Sequence, residues 1–389
     1  VFFVAFFDGF KWKFTRYHQV NITTSISHKM LSGIKVLDLS RVLAGPMAGM
    51  ILGDLGADVI KIERKGSGDE TRGWGPPFDA RGESAYYLST NRNKLSVAAD
   101  FTDPADQKLI SELISESDVV IENFKPGTLD RYRLGCDAML ARNTTLVWCT
   151  ITGFGLDNPR PGYDFVVQAE SGWMAITGAT DGGPMKVGVA LADVMAGKDA
   201  AIAILAALAG GRREPRRLSV SLAHSATAAL INVAQNALVT GEEARRWGNA
   251  HPNLVPYQLF ETADRPIVIA VGSDAQFAAA MRALDLPQLG ADASLTTNAG
   301  RLAHRDRVVA TIAAQVRAAP AAAWIATLEA VGVPCGVVKP VLEALREVES
   351  SPLTGIAPQA PGTVRRPPPR LDEHGAAVRA VGWGAFTPL

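Results

Sequence analysis

IKVLDLSRVLAGPMAGMILGDLGADVIKIE, residues 34–63, decides the fold class. IKVLDLS (34–40) starts β-branched and apolar and then turns polar, which predicts a short strand. RVLAGP and MAGMILGDLGA follow. Their small residues predict a helix packed closely against a neighbour, opening near Pro46. DVIKIE (58–63) predicts a second strand. The glycine-rich, proline-ended GSGDETRGWGPP must be a loop. Next come a strand-like KLSVAAD and an amphipathic helix, DPADQKLISELISES, with Asp103 and Pro104 at its start. DVVIENF and TLVWCTITGF add two further strands. Alternation of strand and helix from 34 to 154 predicts an α/β fold with a parallel sheet covered by helices.

Such sheets bind ligands at the carboxyl ends of their strands. Those ends here are LDLSRVLAG, IKIERKGSG, VIENFKPG and TITGFG. No G-x-G-x-x-G lies between strand and helix, and there is no G-K-[ST] phosphate loop, which disfavours a dinucleotide or nucleoside-triphosphate site. Arg64 and Lys65 follow one strand, and Lys125 and Arg131 bracket another loop. They are either solvated charges or contacts to a ligand with several phosphates. Trp74, on the glycine-rich loop, either covers a cleft or pins the loop.

The chain of 389 residues exceeds what one core usually accommodates, so two domains are expected. Residues 194–210 predict a strong apolar helix, GRREPRR an exposed basic turn, and the stretch near 215–225 a domain change. PIVIAVG and DAQFAAAMRAL are the clearest strand and helix of a second, smaller unit. The proline-rich PGTVRRPPPRLDEHG reads as a wrapping arm. Formal net charge is zero with no basic stripe, so nucleic acid is not expected as a partner, nor is a membrane. Cys136, Cys149 and Cys335 form no CxxC pair, which suits a reducing compartment. Residues 1–29 are crowded with aromatics and foreign to the rest. They are read as non-native sequence upstream of Met30, with a targeting peptide as the alternative.

Asp193 is the one carboxylate in ALADVMAG (190–197), just before the long apolar helix. It suits three roles: helix cap, metal ligand or nucleophile. His, Cys and Glu are missing from 188–198, which argues against metal. Glycines and a helix start can supply donors to a developing oxyanion. The histidines carry no motif for a general base, and no G-x-S-x-G elbow is present.

Several stretches, in order, resemble the class III CoA-transferases, the formyl-CoA and carnitine CoA-transferase family. They begin with LSGIKVLDLSRVLAGPMAGMILGDLGADVIKIERKGSGDETRGWGPPF and continue through YYLSTNRNKLSV, DVVIENFKPGTLDR, ITGFG, GYDFVVQAESGWMAITG, VGVALADVMAG and EEARRWGNAHPNLVPYQLF. The resemblance spans 32–375. It implies a Rossmann-like large domain built from both chain ends (30–220 and 340–389), a small α/β middle domain (221–339), and an interlocked homodimer. It places the catalytic aspartate at Asp193, with coenzyme A contacts at Val42, Ala44, Arg64, Asn123, Phe124 and Arg131. Coenzyme A thioesters are then substrates, with no permanently bound cofactor and no metal. RVLAGP, GDETRGWGPPF, RRWGNAH and RPPPRL resemble the branch that moves coenzyme A from succinyl-CoA to glutarate and related dicarboxylates. Arg41, Arg72 and Arg92 are candidates for the remote carboxylate.

Leu43 departs from the glutamine of the formyl-CoA enzyme. The sister α-methylacyl-CoA racemases carry histidine in a G-H-D motif. Tyr163 stands there in this chain, and a tyrosine is a poor base near neutrality. A non-catalytic homologue is the third reading, because Lys198 and Asp199 stand where the family has first an apolar residue, and GRREPRRLSVSL lacks the usual glycines of a turn. The expected compartment is the cytoplasm, or the mitochondrion if the first residues are a targeting peptide.

Overall fold

The computed structural model describes residues 30–211 and 214–386, so the reading of 1–29 lies outside the described residues. The chain packs as two compact units. The larger comprises 30–167, 190–229 and 349–386; the smaller comprises 168–189 and 230–348. The sequence reading puts 168–189 and 340–348 in the large domain, whereas packing groups both with the smaller unit.

The larger unit holds β1 (Lys35–Asp38), β2 (Asp58–Arg64), β3 (Lys94–Ala99), β4 (Val119–Glu122), β5 (Val147–Thr152) and β6 (Arg216–Ser221). All pair in parallel, in the order β3-β2-β1-β4-β5-β6. This is the doubly wound order, and it reverses between β1 and β4. The loops leaving those two strands part there and open a crevice. Leu37, Ile60, Leu95, Val120 and Trp148 share one buried core with Trp383 from the C-terminal segment.

Helix α1 (Ala44–Asp54) follows β1. Gly45, Gly49 and Gly53 recur every fourth residue and form one bare stripe. A methyl on Gly45 would overlap the Ser40 side chain, one on Gly49 would stand 3.1 Å from Asp38 Oδ2, and one on Gly53 3.0 Å from Asn93 Cβ. The stripe lets α1 lie directly on buried polar groups. The helix Leu191–Ala209 approaches α1 just as closely. A methyl on its Gly197 would meet the Ala44 carbonyl oxygen at 2.7 Å.

Buried charges hold the loop between β1 and α1. Val42 has φ +70°, a left-handed conformation that a β-branched residue adopts at a cost of about 1–3 kcal/mol. Its N–H donates to both oxygens of Asp69, at 3.2 and 3.3 Å. Lys61 Nζ lies 3.1 Å from Asp69 Oδ2 and donates to the Ser40 carbonyl at 2.8 Å, with both side chains fully buried. Burial pushes the Asp69 carboxyl up, but the Lys61 charge and the Thr71 hydrogen bonds hold it below its usual range. Asn123, just past β4, clamps the preceding residue, Arg41, from the other side. Its Oδ1 accepts from Arg41 N–H at 2.9 Å, and its Nδ2 donates to the Arg41 carbonyl at 2.8 Å.

One edge of the sheet is β3, and the proline-rich arm covers it. Asp372 Oδ1 accepts from Ala98 N–H at 2.8 Å, and His374 N–H donates to the Ser96 carbonyl at 3.1 Å. The smaller unit carries an antiparallel sheet of β7 (Tyr257–Phe260), β8 (Ile267–Ala270) and β9 (Cys335–Val337). Its own core includes Phe277, Met281 and Ile312. No single described helix is long and apolar enough to cross a membrane. The three cysteines are free thiols.

Removing one partner of a buried ion pair strands the other charge. Asp69→Ala is therefore expected to lower stability by about 3–5 kcal/mol. Equilibrium urea unfolding of the two proteins checks this, and a loss below 1 kcal/mol, at the level of an exposed pair, would contradict the clamp.

Candidate active site

The helix expected at 194–210 begins earlier, at Leu191, with Ala190 at its N-cap. This corrects the capping reading of Asp193, which sits inside the first turn. The cap comes from Asp164, at the start of the helix Asp164–Glu170, whose Oδ1 accepts from Ala192 N–H at 2.8 Å. With that N–H satisfied by another carboxylate, Asp193 is left to face the crevice. The metal reading finds no support in geometry either: among the described residues, no three His, Cys, Asp or Glu side chains gather as a ligand set.

Asp193 is 9% exposed. Burial first, and the nearby Asp164 charge second, push its carboxyl up to about 7. A carboxylate stripped of water and pressed by a like charge is a better nucleophile than a solvated one. Gly197 stands one helical turn further on, and its contact with Ala44 brings this turn against the start of α1. Leu43, the N-cap residue of α1, provides no capping side chain. The N-terminus of that helix therefore offers its dipole and N–H groups to an anion in the crevice.

Two cavities flank the reversal point. The smaller, about 210 Å³, is lined by Val42, Leu43, Ala44, Asn123, Tyr163 and Asp193, among others. The larger, about 500 Å³, is lined by Arg64, Lys65, Phe101 and Tyr132, among others. Arg41 and Phe124 line both. Of the residues singled out in the sequence, Val42, Ala44, Asn123 and Phe124 thus surround one cavity with Asp193. Arg64 lies in the adjoining cavity. Arg131 is exposed and lines neither, although its neighbour Tyr132 does. Lys125 lines the smaller cavity. Trp74 packs edge-on against Tyr86, ring centroids 5.0 Å apart, and so pins its loop.

Two residues of this neighbourhood escaped sequence reasoning. Asp164 caps a helix remote from it in the chain. Tyr86 is half-buried, and its hydroxyl is pushed up to about 12 by burial, then by the charges of Asp193, Asp164 and Asp69. It therefore keeps its proton near neutrality as a potential donor. Nothing in the apolar AYYL helix marks it.

The geometry supplies a buried carboxylate on one cavity wall, beside a second cavity large enough for a nucleotide-sized ligand. Residues 31–355 match the model of CoA-transferase family III. The chain is 42% identical to a succinyl-CoA:glutarate CoA-transferase of Mus musculus, the match covering 83% of this chain and 75% of that protein. It is 40% identical to a succinate–glutarate CoA-transferase of Agrobacterium fabrum, covering 90% of this chain and 95% of that one. A crystal structure of a CAIB/BAIF family protein from Brucella suis matches with a TM-score of 0.80 at 38% identity, over 90% of this chain and 98% of that chain. This chain belongs to CoA-transferase family III and is a CoA-transferase.

Proposed function

We propose that the enzyme moves coenzyme A from succinyl-CoA to a dicarboxylate such as glutarate, with Asp193 as the covalent nucleophile. The observation that carries this reading is the buried Asp193 carboxylate at the wall of the small cavity, beside the larger one. The relatives named above act on these acids, which supports the choice of substrate.

The steps follow from the carboxylate. One Asp193 oxygen attacks the thioester carbonyl carbon of succinyl-CoA. The C–S bond breaks, the thiolate leaves, and a mixed anhydride remains. The thiolate then attacks the Asp193 carbonyl carbon of that anhydride. Succinate leaves, and the enzyme holds an aspartyl-CoA thioester. The acceptor carboxylate attacks this thioester, and the thiolate leaves again as a second anhydride forms. Attack of the thiolate on the acceptor's carbonyl releases the new acyl-CoA and restores Asp193. Each tetrahedral oxyanion is stabilised by the N-terminus of α1. Burial of Asp193 keeps water from the anhydride and thioester.

In the same reading, Arg64 and Phe124 hold the nucleotide end of coenzyme A in the larger cavity. Val42, Ala44 and Asn123 border its path to Asp193, and Arg131 reaches a phosphate from the turn beside Tyr132. The working form is an interlocked homodimer. The helix Ile231–Thr240 supports this, because it buries no residue while Ile231, Leu238 and Val239 stand open to solvent. A cytoplasmic location suits three free thiols.

Purified enzyme with succinyl-CoA is expected to form glutaryl-CoA in preference to oxalyl-CoA or carnitinyl-CoA, read by mass spectrometry. Asp193→Ala is expected to lose at least about a thousandfold in rate. Silence with every dicarboxylate, or an active Asp193→Ala, would contradict the proposal. Attack requires ionised Asp193, so kcat/KM is expected to fall as pH drops through about 7. Asp164→Asn keeps an oxygen for the Ala192 N–H but removes the like charge. Its acidic limb is expected to move to lower pH, and a limb that stays put or moves up would contradict the assigned cause.

A further inference from the structure

We infer that Arg41 receives the remote carboxylate of a dicarboxylate acyl group and sets the preference for dicarboxylates over monocarboxylates. This rests on the transfer reading above and names the group that selects its substrate.

Of the three arginines singled out by position, two are committed to the fold. Arg72 Nε donates to Glu63 at 2.7 Å and its Nη1 to Glu83 at 2.7 Å, while the guanidinium lies over the Tyr87 ring at 3.7 Å. Arg92 makes a two-pronged pair with Asp54, at 2.9 and 2.7 Å, and also donates to the carbonyls of Thr354 and Ile356. Neither lines the smaller or the larger cavity.

Arg41 lines both. Its backbone is fixed at N–H and carbonyl by the Asn123 amide, so the side chain leaves from a fixed point. Its guanidinium lies over the Phe124 ring, 5.1 Å from the centroid. Its Nε is buried and has no hydrogen-bond partner, so the guanidinium is not fully satisfied by the fold. Its Nη1 pairs with Glu70 at the half-exposed rim, so one carboxylate already sits on this group. A substrate carboxylate in the small cavity meets the guanidinium charge and the N–H groups that Glu70 leaves open. Lys125 and Arg160 also line the small cavity, but both are exposed. At about 210 Å³ the cavity suits a short acid, below the roughly 300–1,000 Å³ of sites for drug-sized ligands. Asp193 and Arg41 both stand on its walls, one carboxylate that reacts and one cation for the second carboxylate of the acid.

The test has a kinetic and a binding arm. In Arg41→Gln, the ratio of kcat/KM for glutarate over that for valerate is expected to fall about 10- to 100-fold, the value of hydrogen bonds to a charged group. Arg41→Lys is expected to recover part of the ratio by keeping charge without the guanidinium. For binding, calorimetry with glutarate is run in the Asp193→Ala protein with and without Arg41→Gln, and with desulfo-CoA as a second probe. Glutarate affinity is expected to drop about 10- to 100-fold, and more than desulfo-CoA affinity. Equal kinetic losses for glutarate and valerate would overturn the assignment, as would a loss of desulfo-CoA binding as large as that of glutarate. The binding arm needs no turnover. Arg41-dependent glutarate binding without exchange therefore contradicts the transfer reading alone, whereas exchange with a ratio indifferent to Arg41 contradicts this inference alone.

Discussion

A buried carboxylate, Asp69, holds the backbone on which the candidate site is built. Its two oxygens keep the Val42 N–H in a conformation that valine avoids, and Lys61 balances its charge without solvent. Everything on the β1–α1 loop inherits its position from this clamp and from the Asn123 amide. The side chain of Arg41, the cavity wall at Val42, and the uncapped start of α1 are all placed within four residues of it. Two buried ions are an expensive way to hold a loop. The cost makes sense where a few backbone atoms must be fixed against a reacting group.

The second constraint is close approach. Glycines along α1 lower it onto Ser40, Asp38 and Asn93, and Gly197 brings the next helix against its first turn. The two contacts fix Asp193 near the positive end of α1. That end favours an anion, whereas burial and Asp164 disfavour one on Asp193. A carboxyl near 7, largely withdrawn from water, is the result. In the proposed transfer reading, the fold gives up stability at this residue for reactivity, as active sites commonly do.

Much of the scaffold was legible locally. The strands β1 to β5 and helix α1 follow from runs of β-branched residues, small-residue spacing and a proline near the helix start, all readable in short windows. What failed was long-range. Asp193 resembled a cap because its true competitor, Asp164, lies 28 residues from the N–H that it satisfies. Residues 168–189 sit between two stretches of the larger unit, and no local signal announces that they pack with the smaller one. Tyr86 drew no attention because its relation to Asp193 exists only in three dimensions. Arg41, Arg72 and Arg92 were indistinguishable in sequence, since each is one charge beside a strand or turn. Only the carboxylates around Arg72 and Arg92 separate them. The family was legible from motifs in order, and with it the position of Asp193. The burial and the Asp164 charge that raise its carboxyl were not.

The central claim is that Asp193 carries coenzyme A as a covalent thioester. The most direct measurement is the mass of the intact protein after incubation with succinyl-CoA in the absence of acceptor, followed by peptide mapping. The account predicts an adduct of coenzyme A on the peptide containing Asp193, discharged by glutarate and absent from Asp193→Ala. Acyl-CoA exchange proceeding with no adduct, or with the adduct on another residue, would contradict it.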